Sequence, residues 1–369
     1  MKVTFDHQVF SVSHSGGVAR YFVELGVALN QLEGIDVSIL CPINQSRFVS
    51  ASKARLPLFG LDLSRIAATP DRVAKSLNQG LFRSMAAFVK PDIVHETNYS
   101  MERTAPVTAR VVTTLHDTIP ELLTELFLQA EEHKKLIRTV LKRADWVMCV
   151  SESTRRDLLR IYEFDPDRVS VAPLGVSLQP SKRDPIRLGR PYFLHVGSRY
   201  PYKNFLRLIE AFGKAGMHRT HHLVSYSERP FDPQEVDAMK QYGVPMGSVI
   251  HAGGDDDKLA RYYAGAEALV VPSLYEGFGL PLVEAMACGC PVLSSNAGSL
   301  PEVAGDAAIY FDPYDAEAIA GAMLKIASSA QDRARLIELG QERAALFTWK
   351  RCAEATARAY RHAMTIPKD

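Results

Sequence analysis

A chain of 369 residues, 47% of them hydrophobic, is too long for one comfortable core and carries apolar material for two. Its 43 Lys and Arg against 42 Asp and Glu leave a net charge of +1, so no global field argues for nucleic acid and any anion site must be built locally. Five scattered cysteines, Cys41, Cys149, Cys288, Cys290 and Cys352, fit neither a disulfide framework nor a paired zinc site, and no apolar run reaches membrane-spanning length.

The chain opens directly as a strand, without the basic and apolar regions of a signal peptide, so a cytoplasmic setting is expected. In the first half, short β-rich runs at residues 3–5, 37–40, 93–95, 111–115, 146–150 and 169–172 alternate with helical stretches. The second half repeats the scheme at 192–196, 222–225, 249–251, 268–271, 292–294 and 308–311. Such alternation predicts an α/β fold: two Rossmann-like domains of parallel sheet facing a central cleft. Residues 173–191 are rich in Pro, Arg and Ser with no hydrophobic period, and place the boundary near 185. The expected division is 1–184, 185–347, and a terminal helix in 348–369.

Between the first strand and first helix lies His14-Ser15-Gly16-Gly17, where Gly16 and Gly17 let backbone approach a ligand closely. Neither a dinucleotide fingerprint nor a Walker loop is present. Residues 45–90 interleave Arg47, Lys53, Arg55, Arg65, Arg72, Lys75 and Arg83 with apolar residues. A solvated helical face covering the first sheet is the favoured reading, with peripheral contact to anionic lipid on the inner face of a membrane as the alternative. The strand at 111–115 ends in His116-Asp117, at the carboxyl edge where open α/β sheets bind ligands.

In the second half, the loop after residue 196 carries Arg199 and Lys203 at the same kind of edge, placed to meet phosphate charge. Further on, Pro272 to Gly289 reads as strand, glycine turn and helix. The turn Gly277-Phe278-Gly279-Leu280 presents N–H groups and a helix N-terminus to a diphosphate. Glu276 and Glu284 flank it, Glu284 suited to ribose hydroxyls and Glu276 to the cleft. Asp255-Asp256-Asp257 contains a metal-binding Asp-x-Asp, but as it precedes a helical pattern, an N-cap is the simpler reading. The histidines show no metal-ligand spacing, so no catalytic metal is expected.

Assembled, these segments resemble the retaining glycosyltransferases of family 4, of the two-domain GT-B fold, over nearly the full length. The most specific element is Glu276-x7-Glu284, and Tyr202-Lys203-Asn204 resembles a subgroup that includes bacterial mannosyltransferases of polysaccharide assembly. The resemblance implies a nucleotide-sugar donor, GDP-sugar favoured over UDP-sugar, with mannose or a relative moved to a saccharide or lipid-linked saccharide. It implies further that Arg199 and Lys203 hold the diphosphate, Glu284 the ribose and Glu276 the region of the transferred sugar. His116 would lie near the reaction centre, and Gly17 would let its loop close on the ligands. No cofactor or metal is implied, and the terminal helix would cross back to the first domain. Relatives often carry Arg where this chain has Tyr202, which leaves phosphate charge to Arg199 and Lys203. An epimerase of the same fold and a non-catalytic nucleotide-sugar binder are the rival readings.

Overall fold

The computed structural model describes residues 1–11, 16–52, 54–64 and 71–367, with residues 71 and 72 described for their backbone alone. His14, Ser15, Lys53 and Arg65 lie outside the described residues, as does the side chain of Arg72. The chain divides into two compact units, Met1–Gly175 with Thr348–Asp369, and Val176–Phe347.

The first unit runs β1 (Lys2–Phe5), α1 (Gly17–Leu29), β2 (Asp36–Asn44), α2 (Arg47–Ser52), β3 (Leu58–Asp62), α3 (Asp71–Val89), β4 (Ile93–Glu96), β5 (Arg110–Leu115), α4 (Ile119–Leu122), α5 (Ala130–Arg143), β6 (Trp146–Cys149), α6 (Glu152–Tyr162) and β7 (Val169–Val171). The second runs β8 (Tyr192–Val196), α7 (Phe205–Lys214), β9 (His222–Tyr226), α8 (Pro233–Gln241), β10 (Val249–Ala252), α9 (Asp256–Gly265), β11 (Ala268–Val271), α10 (Leu280–Ala287), β12 (Val292–Ser295), α11 (Leu300–Ala304), β13 (Ala308–Phe311), α12 (Ala316–Ser328) and α13 (Ala330–Ala344). The chain then returns to the first unit as α14 (Trp349–Thr365).

Every strand pair is parallel, in the orders β3-β2-β1-β4-β5-β6-β7 and β10-β9-β8-β11-β12-β13. Strands such as β4, β5, β6, β11 and β12 are buried along their whole length, as sheets covered on both faces require. In each sheet the order reverses beside its first strand, β1 or β8, which opens a crevice at the strands' carboxyl ends.

The strand β3 has no counterpart in the sequence reading. It is an edge strand with Phe59 and Leu61 exposed, so it has no buried face to set a hydrophobic period. The domain boundary also moves. Val176 N–H donates to the Phe347 carbonyl (3.0 Å), Ser181 Oγ to Asp257 (2.7 Å) and Ile186 N–H to the Arg261 carbonyl (3.1 Å), so the segment after Gly175 is tied to the second unit well before residue 185.

Helix α14 packs Cys352, Ala353, Ala357, Ala359, Tyr360 and Ala363 into the core built on Phe5, Phe22 and Leu25. Small residues let it lie close against α1. Helix α3 buries Ala74, Asn78, Phe82 and Ala86 and exposes Val73, Leu77, Leu81 and Phe88. Among the described residues, no helix is long and apolar enough to cross a membrane.

Candidate active site

In the second unit, the loop leaving β8 tightens into a 3-10 turn over Pro201–Lys203, closed by Lys203 N–H to the Tyr200 carbonyl (2.8 Å) and Asn204 N–H to the Pro201 carbonyl (3.0 Å). Asn204 sits in the left-handed region at φ 59°, which Asn tolerates better than most residues. Its Nδ2 donates to the carbonyls of Pro272 (3.0 Å) and Pro313 (2.7 Å), and the Tyr202 carbonyl accepts from Leu274 N–H (2.8 Å). The loop is thereby pinned to the segment that follows β11.

That pinning brings Lys203 to Glu276. Lys203 Nζ lies 2.6 Å from Glu276 Oε1, with the two side chains only 15% and 11% exposed, and Ser273 Oγ donates to the same oxygen at 2.7 Å. The backbone of Glu276 is held from the other side: its carbonyl accepts from Ser299 N–H (3.2 Å) and Ser299 Oγ (2.9 Å). Gly298, at φ +59°, makes this grip possible, since a Cβ there would stand 2.8 Å from the Glu276 carbonyl oxygen. Beneath Lys203, His195 is buried and pushed down to about 3, by burial first and then by the charges of Lys203 and Arg199. It therefore stays neutral and adds no charge at neutral pH.

The glycine turn enters α10 through Gly279, whose φ of +91° and closeness to Leu300 (2.5 Å from an added Cβ) suit no side chain. The N–H groups of Gly279 and Leu280 have no acceptor among the described residues, and Pro281 occupies the first turn where it needs none. Such a terminus attracts anionic oxygen. Phe278 turns inward onto Phe347, with ring centroids 5.6 Å apart, so at this position only the backbone serves the turn. Glu284, on the second turn of α10, is buried and accepts from the Tyr263 hydroxyl at 3.2 Å. Burial, then the Glu284 charge, pushes that hydroxyl well above its ordinary value, so it remains a donor.

Arg199 is held by other partners. Its Nε meets Glu235 Oε1 at 2.5 Å, its Nη1 donates to Ser225 and Ser227 hydroxyls, and its Nη2 donates to the carbonyls of Arg229 (2.8 Å) and Pro230 (2.6 Å). Sequence places Arg199 beside Lys203 but cannot show that Glu235, from the first turn of α8, lies across from it. The guanidinium is turned into its own unit and does not join Lys203 and Glu276. Asp255 caps α9 by accepting from Lys258 N–H (2.9 Å).

In the first unit, Gly16 caps α1 without a side chain and Gly17 opens it; both are exposed, with open space where a Cβ would sit. His116 follows β5. Its N–H donates to the Tyr99 hydroxyl (3.2 Å), and its ring meets Tyr21 edge-on at 5.1 Å. Burial pushes His116 down to about 4, so the ring is neutral at pH 7, and its Nε2 has no hydrogen-bond partner among the described residues. Asp117 accepts from Ile119 N–H (3.1 Å), which starts α4. Below His116, Tyr360 of α14, His95 and Thr114 form a buried chain, with His95 Nδ1 2.7 Å from the Tyr360 hydroxyl and Nε2 2.8 Å from Thr114 Oγ1.

Sequence reasoning missed Ser273, Ser299, Gly298, Tyr263 and Glu235. Only Ser273 carried a usable signal, standing three residues before Glu276 at the end of its strand.

The family described as Glycosyl transferases group 1 matches residues 179–343, and Glycosyltransferase Family 4 matches residues 15–180. O-antigen chain mannosyltransferase B of Escherichia coli is 31% identical over 269 residues, covering 68% of this chain and 70% of that protein. The serotype-specific mannosyltransferase WbdA of Escherichia coli is 29% identical over 72% of this chain, which spans 36% of that longer protein. Sucrose-phosphate synthase from Thermosynechococcus elongatus shares the fold, with a TM-score of 0.77 at 22% identity over 98% of both chains. The two sheets, the Glu276-x7-Glu284 turn and these matches lead to one conclusion: the chain is a glycosyltransferase and belongs to family 4, of the GT-B fold.

Proposed function

We propose that this glycosyltransferase moves a hexose, mannose or a close relative, from a nucleoside diphosphate sugar to a hydroxyl of a saccharide or lipid-linked saccharide, with retention at the anomeric carbon and without a metal ion. The pairing of Lys203 with Glu276, together with the Gly279 and Leu280 N–H groups at the start of α10, carries this reading. Lysine has three donors, so Lys203 can keep Glu276 and still donate to a diphosphate oxygen. Together with Gly279 and Leu280 N–H it opposes the charge that develops on the leaving diphosphate. Each charge-assisted hydrogen bond contributes about 1.5–3 kcal/mol toward a barrier reduction on the order of 8 kcal/mol or more. Glu284 accepts from the ribose hydroxyls, and the first unit, with neutral His116, serves the acceptor half of the reaction.

Retention follows from front-face attack. The acceptor oxygen bonds to the anomeric carbon as the bond from that carbon to the phosphate oxygen breaks, and the departing phosphate oxygen takes the acceptor's proton. Lys203 and Ser273 Oγ both donate to Glu276 Oε1, which lowers the nucleophilicity of the carboxylate and favours front-face attack over a covalent adduct on Glu276. The mannosyltransferase relatives favour mannose as the sugar and a polysaccharide chain as acceptor, and the subgroup likeness around Lys203 favours guanine over uracil as the base.

Calorimetry with GDP and UDP, followed by NMR of the product from GDP-mannose, tests the reading. Tighter binding of GDP and an α-linked product are expected. Tighter UDP binding overturns the base, an inverted product overturns retention, a glycosyl adduct on Glu276 overturns front-face attack, and loss of turnover in EDTA overturns metal independence.

A further inference from the structure

We infer that Arg199 is a positioning residue that, with Glu235, fixes the loop carrying Lys203 and does not itself touch the diphosphate; this rests on the donor site proposed above. A guanidinium has five N–H donors, and those of Arg199 meet five acceptors: Glu235 Oε1, the hydroxyls of Ser225 and Ser227, and the carbonyls of Arg229 and Pro230. The side chains of the ion pair are 5% and 4% exposed. The guanidinium also lies 5.6 Å from the ring centroid of Phe205 and 5.1 Å from that of Phe231, rings stacked within 5° of parallel.

Glu235 is equally committed. Its Oε2 accepts from Asp232 N–H (2.8 Å) while its own N–H donates to Asp232, forming the capping box that starts α8. To reach a phosphate, Arg199 would have to give up five acceptors and leave this carboxylate buried without its counter-ion. Four residues after Arg199 comes Lys203, and Asn204 pins the far end of the turn. Arg199 thus anchors the near end of the segment whose far end is set by Asn204, and the Lys203 ammonium is aimed by both.

The sign of one substitution separates the readings. If Arg199 is an anchor, Glu235→Gln loosens it and weakens GDP and UDP binding, with kcat falling by roughly tenfold or more, as for other displacements of a catalytic group. If Arg199 is a phosphate ligand held in reserve, the same change frees a cation, removes nearby negative charge and tightens binding. Folding of the variant is checked by near-UV circular dichroism.

A second arm stands independently of that variant. Arg199→Lys keeps the charge but cannot make five bonds, and it is combined with Lys203→Met. An anchor acting through Lys203 has little left to lose once Lys203 is gone, so the cycle is strongly non-additive in nucleotide affinity; additive losses overturn the inference. Failure of the unaltered protein to bind GDP or UDP would instead overturn the donor site itself, whereas tighter binding by Glu235→Gln in a protein that binds them overturns the anchor alone.

Discussion

Replacing Lys203 by Met tests what the pair with Glu276 does. The ion pair is 2.6 Å long and its side chains are 15% and 11% exposed, so losing the ammonium leaves a nearly buried carboxylate with Ser273 Oγ as its side-chain donor. Breaking a fully buried pair costs about 3–5 kcal/mol, and the remaining solvent access lowers the expectation to about 1–3 kcal/mol. For a unit of this size that is a fall of about 2–12 °C in melting temperature, read by differential scanning calorimetry. Nucleotide affinity should drop separately: one charge-assisted bond of about 1.5–3 kcal/mol corresponds to roughly 10- to 150-fold in the GDP dissociation constant. Turnover should fall by roughly a hundredfold or more, as when one oxyanion donor is removed. Adding Glu276→Gln removes the stranded charge, so the double variant should regain most of the stability and none of the affinity. If affinity returns together with stability, or if Lys203→Met leaves the dissociation constant within twofold, Lys203 is only the counter-ion of Glu276 and the phosphate role fails.

Two further outcomes are expected in the first unit. His133 Nδ1 lies 2.8 Å from Glu121 Oε1, and that hydrogen bond raises the imidazole above its ordinary 6.5. Burial alone would raise the Glu121 carboxyl, but hydrogen bonds from His133 and Tyr162 outweigh it and hold the group below its ordinary value. The His133 contribution is therefore whole below pH 6.5 and lost as pH rises through the raised value, while the Glu121 contribution is whole above about 4.5 and lost as pH falls. Glu121→Gln should cost about 1 kcal/mol at pH 5.5 and clearly less at pH 9, by urea denaturation; an equal cost at both would remove the charge from the account. Tyr360→Phe leaves the buried His95 Nδ1 without its partner and should destabilise by about 1–3 kcal/mol. Because burial, with the nearby His116, pushes His95 down to about 3, that loss should not vary between pH 5 and 9, and a marked variation would mean His95 carries charge.

The sequence made most of the architecture legible because the internal strands are largely buried on both faces and most read as short apolar runs. The edge strand β3 did not, since Phe59 and Leu61 face solvent and Gly60 interrupts the run. Lys203 and Glu276 were recognisable from position at strand ends, and the structure brings them within 2.6 Å. Arg199 is held away from Lys203 for a reason the sequence does not carry: chain proximity to Lys203 says nothing of Glu235, thirty-six residues away, or of the carbonyls of Arg229 and Pro230. The boundary near residue 185 failed similarly, because hydrogen bonds of the segment after Gly175 to Phe347 and Asp257 leave no trace in composition.

The return of the chain into the first unit through α14 has a consequence for biosynthesis. The core around Phe5 and Phe22 lacks Cys352, Ala357 and Tyr360 until α14 has left the ribosome, so the half that is begun before the second unit is completed only after it. The second unit is an insertion in that half, and its two ends, Val176 and Phe347, are joined by a 3.0 Å backbone hydrogen bond. Excised as Val176–Phe347 it keeps every strand of its own sheet, whereas removing α14 strips the first unit's core of Cys352, Ala357 and Tyr360 and leaves those strands untouched.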